Sequence, residues 1–216
     1  MCGRYGIVDP QFIGEHFQLY LELPDLVPRY NAAPSQRLPV IVQQDGNRRL
    51  DMMRWGLVPG WAKDTAKSLI NARAEAIDTK PSFRAAFRRG RCLVPASHFF
   101  EWATTPAGKV PHCIRVTDAP LFAFAGLYDV HRDADGRAVA GFAIVTTEQN
   151  ELMAGIHTRM PVILSREAES TWLGDTATEE LLALLRPYPA EAMQAFPVGS
   201  LVNRPANDTA QVLLPV

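Results

Sequence analysis

PLFAFAGLYDV (120–130) and RAVAGFAIVTT (137–147), with a turn at Asp135-Gly136 between them, read as two long apolar strands of a hairpin. Before them RCLVP (91–95) and KVPHCIRV (109–116) have the same strand-like character, and RMPVIL (159–164) adds a shorter strand after them. Nearer the start, PVIVQQ (39–44) and RLDMMRW (49–55) flank Asp45-Gly46, a second hairpin signal. Helical spacing is confined to short pieces: DPQFIGEHF (9–17), the basic KPSFRAAFRRG (80–90) closed by Gly90, SREAESTWL (165–173) and TATEELLALLRPYP (176–189). In the last of these, Thr176 with Glu179 reads as a capping box, and Pro187 and Pro189 as the stop. FPVGSLVN and AQVLLPV near the end read as extended. Strands outnumber helices, and no βαβ rhythm with phosphate-binding glycines interrupts them. The class expected is α+β, one domain over 1–216, with a mainly antiparallel, barrel-like core and short flanking helices.

The chain has 216 residues, 47% of them hydrophobic and 21% charged, the profile of a globular protein. No apolar run reaches the roughly 20 residues of a membrane span, and the start lacks the basic and apolar regions of a signal peptide. An intracellular protein is the expectation. Three cysteines with no metal-type spacing argue against a disulfide framework and a zinc site, and Cys92 and Cys113 read as small buried hydrophobes. Net charge is −1 but unevenly spread: residues 1–100 carry 14 Lys/Arg against 9 Asp/Glu (+5), and residues 101–216 carry 8 against 14 (−6). The excess concentrates in 63–91, from Lys63 and Lys67 through Arg73, Lys80 and Arg84 to Arg91. Such a stripe suits either a polyanion or a solvated helix face.

Cys2 is the most informative residue. Initiator Met is normally removed before a small residue, which would leave Cys2 with a free α-amine beside its thiol. A 1,2-aminothiol captures aldehydes: the amine forms an imine and the thiol closes a thiazolidine ring. An α-amine of pKa about 7.8 is roughly a tenth free base at neutral pH, whereas a lysine near 10.4 is well under ~0.1%. Around it, Gly3 permits close backbone approach and Arg4 could grip a phosphate. RYNAAPS (29–35) offers Asn31 in a Pro-fixed loop, and MRWGLVPGWAKD (53–64) offers Trp55, read as core, and Trp61, placed to stack on a base or wedge a duplex end. LINARAE (69–75) sets Asn71, Arg73 and Glu75 on one face of an extended segment. FFEW (99–102) puts Glu101 between aromatics, a partly desolvated position suited to acid–base work, and GIHTRMPVIL (155–164) sets His157 and Arg159 just ahead of an apolar strand.

MCGRY, RYNAAP, RWGLVPGWAKD, INARAE, RCLVPASHFFEW, FAGLYD, VTTEQN, IHTRMPVIL and PVGSLVN occur in the order found in the SOS response-associated peptidase (SRAP) family, which the chain resembles from Met1 to about Asn203. The resemblance implies an abasic-site processing protein that shields an abasic site in single-stranded DNA by crosslinking through its N-terminal cysteine. It implies Cys2 as nucleophile with Asn71, Glu101 and His157 as catalytic company, and Arg4, Arg73 and Arg159 as phosphate contacts. Asn31, Trp61, Phe83 and Arg84 complete the expected DNA surface, with Trp61 and the loop near Phe83 meeting the base stack. It also implies self-removal of Met1, a latent strand-cleaving lyase activity, no cofactor or metal, action as a monomer, a cytoplasmic, nucleoid-associated place in a bacterium with no membrane, and single-stranded DNA or its junctions with duplex as partner. Two positions depart from the family pattern: His98 stands where Gly is expected, and Thr158 where Asp is expected. An N-terminal-nucleophile amidohydrolase or peptidase is the alternative enzyme, since class II glutamine amidotransferases also begin MCG. A non-catalytic single-stranded DNA-binding module is the alternative from another class.

Overall fold

A computed structural model describes residues 2–20, 23–62 and 68–216; Met1, Lys63 and Lys67 lie outside the described residues. In chain order the strands are β1 (Tyr5–Ile7), β2 (Arg29–Ala32), β3 (Arg37–Gln44), β4 (Asn47–Trp55), β5 (Asn71–Arg73), β6 (Arg91–Ala96) and β7 (His98–Thr105). They continue with β8 (Gly108–Val116), β9 (Phe122–Arg132), β10 (Ala138–Glu148), β11 (Arg159–Pro161), β12 (Ile163–Leu164) and β13 (Met193–Pro197). Among the described residues four short helices accompany them: α1 (Ile13–His16), α2 (Arg84–Arg89), α3 (Arg166–Leu173) and α4 (Thr178–Ala183). This is the strand-rich α+β class expected.

Five strands close on themselves in the order β4-β3-β6-β9-β10 and back to β4, so the barrel-like core is a closed barrel. Closure leaves none of these five as a free edge over its paired length. The closing contact is parallel, Gly141 opposite Arg54 and Phe142 opposite Trp55, which modifies the mainly antiparallel expectation. Gly141 is needed there because a Cβ would fall onto the Gly56 carbonyl oxygen. The β3–β4 hairpin turns at Asp45 and Gly46, both at positive φ (50° and 79°), as the Asp-Gly signal required.

A second, antiparallel sheet runs β13-β8-β7-β1-β2. Tyr5 of β1 joins it to the barrel, meeting Trp55 at 5.1 Å and Phe124 at 5.9 Å edge-on, while Phe99 of β7 also packs on Phe124. Each such aromatic pair is worth about 0.5–1.5 kcal/mol beyond area burial. Alternate residues of β7 therefore part company: Phe99 belongs to the main core, whereas Phe100 and Trp102 belong to a smaller cluster with Cys113, Val198, Val202 and Val212.

That smaller cluster is roofed by the chain's end, which is not extended as expected but forms 3-10 turns at Ser200–Asn203 and Ala210–Leu213. Helix ends differ too. Ser165 caps α3 through its side chain, but α4 begins after Ala177, and Thr176 donates its hydroxyl to the Thr171 carbonyl instead of capping. Gly90 does end α2, at φ −129°, so its role is close approach: a Cβ would collide with the Tyr128 carbonyl oxygen.

Candidate functional site

Cys2 enters the site through the register of β1. Tyr5 pairs with Phe99 and Gly6 with His98, and the Phe100 amide donates to the Arg4 carbonyl at 3.0 Å. Continued, that register brings residues 2–3 alongside Glu101 and Trp102. Cys2 is completely buried and Glu101 nearly so, at 3% exposure. Burial first, and the neighbouring Glu101 carboxylate second, push the Cys2 thiol well above the ordinary range of a cysteine. At neutral pH it is a thiol rather than a thiolate, with a base next to it.

Asn71 arrives from the other sheet. Its Nδ2 donates to the Cys2 carbonyl at 2.9 Å, and its Oδ1 is buried without a hydrogen-bond partner among the described residues. The reach of β10 explains the meeting. The first part of this strand pairs with β9 and β4 in the barrel; its end runs on between β5 and β11. Asn71 lies opposite Ile144 on one side, and Arg159 opposite Glu148 on the other. A strand that leaves its barrel thus carries two loop-borne motifs to one place.

His157 stands just before β11, half-buried. The Arg159 amide donates to His157 Nδ1 at 3.0 Å, so the neutral ring carries its proton on Nε2. Glu101, Trp102, Lys109 and His157 line an open pocket of about 400 Å³. A groove of about 470 Å³ elsewhere is lined mainly by apolar residues, with Ser165, Tyr188 and Arg186 among them, and holds neither Glu101 nor His157.

Arg159 is 15% exposed and holds Glu75 in a two-pronged ion pair, 2.8 and 2.9 Å, while donating to the Thr146 carbonyl at 2.7 Å. The Arg159 hydrogen bond keeps the Glu75 carboxyl below its usual value. Arg4 is half-buried, its guanidinium on the Gly3 carbonyl at 3.0 Å; burial lowers its pKa. Arg73 and Arg84 are exposed. Trp61 is 64% exposed, with its indole nitrogen 3.4 Å from the Pro81 carbonyl.

Two residues expected at the DNA surface are interior instead. Asn31 is wholly buried, its amide shared among the carbonyls of Val202, Arg204 and Asn207 at 3.0–3.1 Å. Phe83 is 4% exposed, in the main core under Lys80. Trp102 and Lys109, which line the pocket, were not singled out from sequence; FFEW carried the signal for Trp102, and nothing local marked Lys109. Among the described residues no group of three or more His, Cys, Asp or Glu is arranged to hold a metal ion. Among them, too, no helix is long and apolar enough to cross a membrane.

Comparison with known proteins bears on this geometry. The family model described as SOS response associated peptidase (SRAP) matches residues 1–205. The chain is 43% identical to abasic site processing protein YoqW of Bacillus subtilis, over 99% of both chains. It is 32% identical to abasic site processing protein YedK of Escherichia coli over the full length of both, and 32% identical to chicken (Gallus gallus) HMCES, covering 88% of this chain and 66% of that one. Among solved structures, a protein from Bacteroides thetaiotaomicron superposes with a TM-score of 0.81 at 31% identity, covering 99% of this chain and 92% of that one.

Proposed function

The chain belongs to the SRAP family, and from that membership and the geometry around Cys2 we propose that it processes abasic sites in single-stranded DNA by covalent capture through Cys2. The observation that carries the proposal is the Asn71 amide on the Cys2 carbonyl at 2.9 Å, with Glu101 beside the thiol and His157 across the pocket.

The steps follow from what each group offers. Hydrolysis of the Met1–Cys2 bond consumes one water and frees the α-amine. His157, holding its proton on Nε2, hydrogen-bonds the ring oxygen of the abasic sugar and favours the open aldehyde. The amine attacks C1′ to give a carbinolamine, whose hydroxyl leaves as water once protonated, with Glu101 carrying the proton. Asn71 Oδ1 accepts from the amine and holds it in line. The thiol then adds to the imine carbon, its proton passing by way of Glu101 to the nitrogen. Burial disfavours the thiolate, which favours the order in which the amine leads and sulfur follows. The capture steps after Met1 removal lose one water, with no oxidant or reductant.

Single-stranded DNA is the partner that suits this site, because a sugar without a base must enter a pocket beside arginines. Arg4, Arg73, Arg84 and Arg159 supply the phosphate contacts, and exposed Trp61 a face for a neighbouring base. Asn31 and Phe83 support the surface from beneath. Without the thiol, the imine is free to undergo β-elimination and nick the strand.

Incubation with single-stranded DNA containing one abasic site, followed by a denaturing gel, tests the reading. A heat-stable shifted band lost in Cys2→Ser is expected, and Glu101→Gln slows its appearance about 10²-fold. An equal band from Cys2→Ser overturns it.

A further inference from the structure

The last part of the chain folds back onto the sheet that carries Cys2, and its attachment is unusually polar. Asp208 accepts from the amides of Tyr30 and Asn31 at 2.6 and 2.8 Å and from Arg29 Nε at 2.6 Å. Asn31 returns the grip by donating its amide to three carbonyls between Val202 and Asn207. Val202, fully buried, seats the strap on Phe100 and Cys113. The segment is therefore fixed at both ends, with Asn203 held between its anchors.

Asn203 does not face the strap. Its Oδ1 accepts from the Trp102 indole N–H at 2.8 Å, 101 residues away in sequence, and its carbonyl lies 3.5 Å from the Arg4 guanidinium. Trp102 is the residue after Glu101 and forms one wall of the pocket shared with Lys109 and His157. An indole has two soft torsions, and a fixed acceptor on its nitrogen selects one orientation.

We propose that Asn203 is a positioning residue that holds the Trp102 wall of the pocket in place, so that the C-terminal strap sets the geometry in which an abasic sugar meets Cys2. This rests on the covalent-capture reading. Asn203 touches neither the sugar nor Cys2, so its removal slows the reaction without removing any reacting group. One exposed hydrogen bond corresponds to a rate effect of about three- to fivefold.

The test compares wild type, Asn203→Leu, Asn203→Asp and Trp102→Phe. Asn203→Asp keeps the acceptor, whereas Asn203→Leu and Trp102→Phe each remove one side of the same bond. Crosslinking rate at saturating DNA is expected to fall about three- to fivefold in Asn203→Leu, with the half-saturating DNA concentration within about twofold of wild type. Asn203→Asp should recover the wild-type rate, and adding Trp102→Phe to Asn203→Leu should cost nothing further. An unchanged rate in Asn203→Leu, an Asn203→Asp protein as slow as Asn203→Leu, or a loss that merely tracks a lowered thermal midpoint overturns the proposal. Wild-type protein that forms no crosslink sinks the underlying reading instead. In that event the indole N–H resonance of Trp102, assigned with Trp102→Phe, decides the Asn203 contact alone. It should be slow to exchange in wild type and Asn203→Asp and fast in Asn203→Leu; equal exchange in all three overturns the contact.

Discussion

Cys2 and Cys92 are both completely buried, and burial pushes both thiols well above the ordinary cysteine range, yet they occupy opposite kinds of place. Cys92 lies in the barrel wall, where β6 passes β9, and desolvation is the sole cause of its shift. Around Cys2 the same desolvation is joined by the Glu101 carboxylate, the Arg4 carbonyl and the Asn71 amide. A buried thiol alone is inert filling. A buried thiol with a carboxylate and an amide beside it is the arrangement that the proposed capture uses. The barrel wall around Cys92 is apolar, whereas the smaller sheet places polar groups beside Cys2.

The largest expected difference between the two regions is chemical. Cys2→Ala should abolish the stable crosslink and replace it with strand nicking, whereas Cys92→Ala should crosslink at the wild-type rate; gel assays of both variants on the same abasic oligonucleotide separate them. Equal loss in both would erase the distinction.

Next comes acid sensitivity, which should reside in the smaller sheet. His98 of β7 is fully buried, its Nε2 set 3.0 Å from the Tyr30 carbonyl, and desolvation depresses its pKa from 6.5 to about 4. The unfolded chain therefore takes up this proton first as pH falls. Stability from this residue is complete above about pH 6.5 and falls towards pH 4, by about 3 kcal/mol in all. Denaturant melts across that window should show the slope, and His98→Gln should flatten it. A slope unaltered in His98→Gln would move the acid response elsewhere.

Cys92→Ala should in turn cost about 1–2 kcal/mol of stability, the price of a small cavity in a tight wall; a denaturation midpoint unchanged from wild type would contradict the packing there. The smallest effect belongs to Glu75, whose carboxylate is 61% exposed and contributes under about 1 kcal/mol. Glu75→Gln should leave stability nearly unchanged. By freeing Arg159 it should raise single-stranded DNA affinity about two- to fivefold, with a steeper salt dependence. Weaker binding would mean that Glu75 orients Arg159 for DNA rather than competing for it.

Long strands were legible in the sequence because their apolar residues continue over more length than any loop permits. Asp45-Gly46 was legible because a tight turn demands particular residues. A barrel-like core was legible too, but not which strands close it, since closure depends on β10 passing Gly141 against the Gly56 backbone, a long-range contact with no local pattern. Asn31 misled for a related reason: a polar residue in a Pro-fixed loop reads as surface until the chain's end folds over it. Thr176 had the right spacing for a cap, but α4 starts one residue later and its hydroxyl donates to the Thr171 carbonyl. At the site, the motifs marked Cys2, Asn71, Glu101 and His157, and the structure brings Asn71 and Glu101 to Cys2 and sets His157 on the same pocket as Glu101. Trp102 and Asn203 were hidden because their partnership spans 101 residues.

The most direct test of the account is intact mass spectrometry of the protein after incubation with a single-stranded oligonucleotide bearing one abasic site, followed by borohydride treatment and peptide mapping. The account predicts an adduct equal to the chain without Met1 plus the oligonucleotide less one water, located at Cys2. The thiol of that adduct should be blocked to alkylation, and borohydride should leave its mass unchanged. An adduct on a lysine, a Cys2 adduct that borohydride reduces and whose thiol still alkylates, or no covalent product at all would contradict it.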